Sequence, residues 1–268
     1  MSTLFQVGAG SGGMVVLDLV CRDPGVRRIV LVEPDVYKPH NVHRHYFGPR
    51  EVGRRKAELA AGWIRQFRSD LEVTTIVADL LDPARQGEID AAVAGCDLGV
   101  CAVDNEPAKY HFDALMRKHA KPWSLGEVLS GGIGGWVHLL RPGEACYGCV
   151  ASHLQRTVTT DNRPPPDYAN PGAAVAETSI PASKASINVI AGLHAAATLG
   201  LLAGSVPEYT SLLLPLAKVD GVFAEALRPF KFRIPRSPEC LICGAHAAPA
   251  GEDLDVALDQ ALARLGHE

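Results

Sequence analysis

Two cysteine pairs, Cys146–Cys149 and Cys240–Cys243, and three glycines, Gly8, Gly10 and Gly13, have the types and spacing to do chemistry. A C-x-x-C pair offers two thiolates to one ion, and two such pairs far apart in sequence can close a tetrahedral Zn2+ site. Four thiolates leave no position for water, so the zinc is expected to be structural and to clamp the C-terminal strands onto the core. Two redox pairs are the alternative, and nothing thioredoxin-like surrounds them. The glycines form G-x-G-x-x-G. The first permits a sharp turn, the second lets the backbone approach a phosphate, and the third allows a helix to pack closely on its strand. The helix start adds free N–H groups and a dipole that favours an anion.

Glu33 follows at the end of the next apolar run, where an acid binds ribose hydroxyls. That serves a dinucleotide or ATP equally, so an NAD-dependent oxidoreductase and an ATP-cleaving enzyme both remain open here. Three histidines, His40, His43 and His45, are spaced by three and two on an irregular stretch. That spacing fits no common zinc geometry, and they are read as nucleotide-loop or surface residues. Cys21, Cys96 and Cys101 are read as small core residues, and no cysteine occurs between Val150 and Glu239.

The elements that must position these residues follow from the apolar pattern. Thr3–Val7 reads as a buried strand, Ser11–Cys21 as a helix and Arg28–Val32 as a second strand, a βαβ unit with parallel strands. Arg54–Phe67 reads as a helix, Leu71–Val77 as a strand, Asp97–Val103 as a buried strand, and Pro107–His119 as a helix. Short strands follow at KPWSLGEV and at Gly135–Leu140, with the GGIGG stretch before the latter marking a bend. Thr157–Lys184, rich in proline, reads as a long loop, Ala185–Leu202 as a buried small-residue helix, Tyr209–Arg233 as antiparallel strands, and Asp253–Leu265 as an amphipathic helix. The fold class is α/β: a Rossmann-like doubly wound sheet, parallel in its N-terminal half and antiparallel after it. One domain is expected over 1–268, with a nucleotide-binding half at 1–125, a zinc-binding half at 126–250 and a terminal helix at 251–268.

Composition bounds the function. The 268 residues carry a formal net charge of −4 and 21% charged side chains, which argues against electrostatic capture of nucleic acid. No apolar run approaching a membrane span and no secretory signal are read, so a cytoplasmic location is expected.

The stretch EPDVYKPHNVHRHYFGPREVGRRKAELA departs from a dehydrogenase. It resembles the ThiF/MoeB/HesA family, relatives of the ubiquitin-activating enzymes, whose pattern is D-x-D-x-V-x-x-S-N-L-x-R-Q followed by G-x-x-K-A. Glu33 stands for the first Asp, Asp35 keeps the second, and Asn41, Arg44, Gly53 and Lys56 match, with His40 and His45 replacing Ser and Gln. Asp104 matches the family's T-D-N-x-x-x-R segment, and Lys109 stands where Arg is usual. The cysteine pairs extend the resemblance over about nine-tenths of the chain.

The resemblance implies an adenylyltransferase that binds ATP with Mg2+ and activates the C-terminal glycine carboxylate of a ubiquitin-like or sulfur-carrier protein ending in Gly-Gly. Arg44 and Lys56 would neutralise the phosphates, Asp104 would hold Mg2+, and Asn41 would bond phosphate or ribose oxygens. The cysteine-free stretch implies that the reaction stops at the adenylate, as in MoeB-type members. The family dimerises, so a homodimer, or a heterodimer with a related subunit, is expected. For an arginine that family members carry before the first strand no counterpart is read here, which implies one of three things: a partner supplies it, catalysis manages without it, or activity is lost. The rivals are a non-catalytic subunit of such a complex, the oxidoreductase, and activation of a short peptide or tRNA-bound group.

Overall fold

The computed structural model describes residues 2–154 and 182–245. Of the expected loop Thr157–Lys184 only the last three residues are described, and the helix expected at Asp253–Leu265 lies outside the described residues.

Four strands lead into helices and return parallel. β1 (Ser2–Val7) is followed by α1 (Ser11–Val20), β2 (Val26–Val32) by α2 (Lys56–Arg65), β3 (Glu72–Ile76) by α3 (Gln86–Ala94), and β4 (Leu98–Cys101) by α4 (Glu106–Lys118), which leads to β5 (Trp123–Val128). Each crossover needs a helix because parallel neighbours cannot be joined by a tight turn. β5 then turns directly into β6 (Gly134–Leu140), and the sheet becomes antiparallel. Gly131 and Gly132 make that turn with positive φ, which side chains resist. A short helix α5 (Tyr147–His153), a long α6 (Lys184–Leu202), β7 (Ser211–Pro215) and β8 (Phe230–Phe232) complete the described chain. All strands form one sheet in the order β3-β2-β1-β4-β5-β6-β7-β8.

The two faces bury different layers. On one, Met14 and Leu17 of α1 and Ala57, Ala60 and Ile64 of α2 pack with Ala191 and Ala195 of α6. On the other, Ile89 and Val93 of α3, Phe112 and Met116 of α4, and Tyr147 and Val150 of α5 pack together with the four paired cysteines. Trp123, Phe112 and Phe5 stack across this second layer.

The antiparallel strands expected within Tyr209–Arg233 are the short β7 and β8, which pair with each other. The structure corrects the sequence in two places. α3 and α5 were not expected. And α6 has the length and mean hydropathy, 1.6, of a membrane span, so the chain does contain one such run. It lies against α1, β5 and β6, with Ile187, Ile190, Ala191 and Ala195 buried. Gly135 makes this approach possible: a Cβ there would come within 2.6 Å of Ile190.

Candidate functional site

β1 and β4 are adjacent, yet their following helices cover opposite faces. In such a sheet the crevice for a ligand opens between the carboxyl ends of those two strands. Val7 pairs with Cys101 at the strand ends, and the Ala102 N–H donates to the Val7 carbonyl at 2.9 Å. The glycine loop leaves from this point. Gly8 has φ +93°, and a Cβ on it would overlap the Ala102 carbonyl oxygen. A Cβ on Gly13 would overlap the Gly8 carbonyl oxygen, so Gly13 is required for α1 to seat on β1. Gly10 differs: a Cβ there meets nothing within 4 Å. The space above Gly10 is open, and its bare backbone starts α1, an arrangement that suits an anion at a helix N-terminus.

Two buried side chains brace this loop. Glu33 is 4% exposed and accepts from the Ala9 N–H at 2.6 Å through Oε2 and from the Asp35 N–H at 2.9 Å through Oε1. Each oxygen keeps a second lone pair, so ribose hydroxyls can still be accepted. Burial raises its pKa, opposed by the Lys56 charge and the two N–H bonds. Gln6 donates from Nε2 to the carbonyls of Gly8, at 3.0 Å, and Gly13, at 2.8 Å. Sequence reasoning missed Gln6, because a glutamine inside an apolar strand carries no motif.

The segment after β2 brings the remaining candidates to the same edge. Lys56 is buried at the start of α2, and its Nζ meets Asp35 Oδ2 at 2.6 Å. Asn41 is buried in a 3-10 turn (Pro39–Asn41), where its Oδ1 accepts from the Lys38 N–H at 2.8 Å. Arg44 is half-buried and paired with no carboxylate among the described residues. The three histidines do not cluster on a metal. His43 is exposed, whereas His45 is buried with Nε2 bonded to the Ala9 carbonyl at 2.9 Å. His45 thus holds the carbonyl of Ala9, whose N–H is held by Glu33.

Asp104 sits past the end of β4, exposed, and it makes no side-chain hydrogen bond among the described residues. The cap of α4 is its neighbour: Asn105 Oδ1 accepts from the Ala108 N–H at 2.9 Å. Asp104 is therefore free of that structural duty. Lys109, one turn into α4, is buried between Glu106, at 2.7 Å, and Glu127, at 2.6 Å. Glu127 in turn meets His138 Nε2 at 3.0 Å.

Burial pushes His45 down to about 4, and the charges of Lys56, Lys184 and Arg44 add to the effect. His194, on α6 beside Ser124, is likewise pushed down to about 4 by burial. The unfolded rings would titrate near 6.5. Between those values the unfolded chain binds protons that the folded chain refuses, so stability is full above about pH 6.5 and falls as pH drops toward 4. Each ring contributes up to about 3 kcal/mol to that loss. Denaturation midpoints at pH 7 and pH 5 measure it; equal midpoints would count against two buried neutral rings.

The four paired cysteines meet behind the sheet. Their Sγ atoms all lie within 4.8 Å of one another, with Cys146–Cys240 at 3.6 Å, Cys149–Cys243 at 3.5 Å and Cys146–Cys149 at 3.8 Å. Thiolates tetrahedrally around Zn2+ at about 2.3 Å lie about 3.8 Å apart, so the donor set fits a metal of that kind. α5 starts from Cys146, and it grips α4 at two points. The Tyr147 N–H donates to Asp113 at 3.1 Å, and the Tyr147 hydroxyl donates to Glu106 at 2.8 Å. Cys21, Cys96 and Cys101 are buried, and burial pushes their thiols up to about 12, 11 and 12. None of the three is a ready nucleophile at neutral pH.

The ThiF family model matches residues 2–242. A SAMP-activating enzyme E1 of Haloferax volcanii is 26% identical over 260 residues, covering 95% of this chain and 84% of that protein. Ubiquitin-like modifier-activating enzyme 5 of Oryza sativa subsp. japonica is 28% identical over 154 residues, and there the match spans 54% of this chain and only 36% of the relative. Among solved structures, E. coli MccB superposes with a TM-score of 0.68 at 17% identity, covering 94% of this chain and 68% of that one. At that identity the likeness is one of fold.

Proposed function

Because the chain belongs to the ThiF family and is an E1-like adenylyltransferase, we propose that it adenylates the C-terminal glycine carboxylate of a ubiquitin-like or sulfur-carrier protein. One observation carries the reading. Arg44, which pairs with no carboxylate among the described residues, the ion pair Lys56–Asp35 and the Glu33-braced glycine loop stand on one edge of the β1–β4 crevice, and the Asp104 carboxylate, unpaired among the described residues, stands at the end of β4. That set suits ATP: bare backbone for phosphate at Gly10, cations for its charge, and a hard oxygen for Mg2+ at Asp104. Mg2+, when bound, would draw charge from the phosphate oxygens.

The carrier's carboxylate oxygen attacks the α-phosphorus, and the bond from that phosphorus to the β-phosphate's bridging oxygen breaks. Pyrophosphate leaves with the electron pair, and no proton moves. Two anions must approach, so Arg44 and Lys56 lower the barrier by holding positive charge in place before reaction. Asn41 adds a bond to phosphate or ribose oxygens. With no cysteine between Val150 and Glu239 and the other thiols buried, the acyl-adenylate is the product handed on.

Two relatives are named for activating SAMP and a ubiquitin-like modifier, which supports a small protein as substrate. E. coli MccB has also been solved with ATP, which supports that nucleotide. The four thiols support a structural Zn2+, and the continuous sheet supports one adenylation domain. Pyrophosphate exchange into ATP tests the reading. Exchange that depends on a carrier ending in Gly-Gly is the expected result. Tight ATP binding without exchange on any such carrier would overturn it.

A further inference from the structure

The N-terminal end of α6 lies over the nucleotide loop. Ile187 Cγ2 is 3.7 Å from the place a Cβ would take on Gly12, in the first turn of α1. Ser186 closes on Gly132 of the β5–β6 turn. One turn before Ile187, on the same helix face, is Lys184. Its Nζ donates to the His45 carbonyl at 2.8 Å and lies 5.9 Å from the centre of the Tyr46 ring. The carbonyl belongs to the residue after Arg44, whose ring reaches back to the glycine loop at Ala9.

Lys184, Arg44 and Lys56 all act on the His45 ring electrostatically, so three cations share one neighbourhood. Of the three, Lys56 is paired with a carboxylate, Asp35. Among the described residues Lys184 and Arg44 have none, and Glu33 is engaged by backbone N–H groups. The charge here is unbalanced in favour of a polyanion. An ammonium has three donors, and the His45 carbonyl takes one. The ammonium bonds an anionic phosphate oxygen more strongly than a neutral carbonyl, so an arriving phosphate can take the other two.

We propose that Lys184 is a third phosphate-contacting cation of this site, binding the ATP polyphosphate beside Arg44 and Lys56 and holding the pyrophosphate as it leaves. It deepens the adenylation reading and rests on it for the reaction, though not for nucleotide binding. No proton is transferred: the ammonium stays charged, and the electron pair of the broken phosphorus–oxygen bond goes to pyrophosphate.

The test uses the full chain with Lys184→Met and Lys184→Arg. The probes are α,β-methylene ATP for binding, and pyrophosphate exchange with a Gly-Gly carrier for turnover. Lys184→Met is expected to weaken analogue binding and the apparent affinity for pyrophosphate about tenfold, and exchange about a hundredfold. Binding should also lose part of its salt dependence, with the melting midpoint unchanged. Lys184→Arg should recover most of the binding, because charge is what the position supplies. Binding and exchange equal to the parent in Lys184→Met would overturn the proposal and leave adenylation standing. A parent that never exchanges, but whose analogue binding still depends on Lys184, would overturn adenylation of such carriers and support the phosphate role. A parent that binds no analogue would overturn both.

Discussion

Asp104→Ala is expected to lower carrier-dependent pyrophosphate exchange about a thousandfold or more while leaving the melting midpoint where it was. The side chain is exposed and makes no hydrogen bond among the described residues, and Asn105 caps α4 without it. A surface substitution of that kind moves stability by no more than about 0.5 kcal/mol. Loss of a carboxylate that holds Mg2+ against the phosphates removes several kcal/mol of transition-state stabilisation, which is the thousandfold. Asn105→Ala is the contrasting control. It removes a cap worth about 1 kcal/mol and should lower the melting midpoint by a few degrees while retaining exchange. Normal turnover by Asp104→Ala would sink the assignment of this site.

The second large effect is on the metal. Cys243→Ser, or removal of the ion by a strong chelator, is expected to cost on the order of 5 kcal/mol. The thiolates join positions 94 residues apart, and releasing a loop of that length returns comparable chain entropy. For a chain of this size that is a fall of roughly 10–20 °C in melting midpoint. The parallel half, with its own core around α1 and α2, should remain folded, so the loss should appear first at β7 and β8. Metal analysis of the purified chain should find one Zn2+ per molecule. A metal-free chain with the same midpoint before and after chelation would rule the centre out.

Much of the site was legible because its local rules are strict. A continuous apolar run such as Arg28–Val32 reads as a parallel strand, and of the glycines after β1, Gly8 and Gly13 stand where the turn has no room for a side chain. The four cysteines were legible because their spacing has few other uses. What stayed hidden depends on long-range contact. Of α3 only Ile89 and Val93 are buried, too few for a periodic signal. α5 is seven residues, anchored by Tyr147, Cys149 and the Cys146 that precedes it, which form no amphipathic stripe. His45 looked like one of three loop histidines; only the folded chain shows its ring against Ala9. Its one sequence signal was its place in the motif, where the family has Gln. Lys184 lay at the margin of a proline-rich loop, and only α6 packing on Gly12 puts it at the crevice.

α4 has a further consequence. Its head carries Asp104 and Asn105, its first turn holds Glu106, and Asp113 lies two turns down. Tyr147, next to Cys146 of the four-cysteine cluster, fastens to both acids. The helix is therefore a strut, pinned along its length to the thiolate knot and presenting a carboxylate at its free tip. Slackening the knot would reach that tip through Tyr147, which is 41 positions along the sequence from Glu106. The four-cysteine cluster and the edge that carries Asp104 are thus joined through one helix.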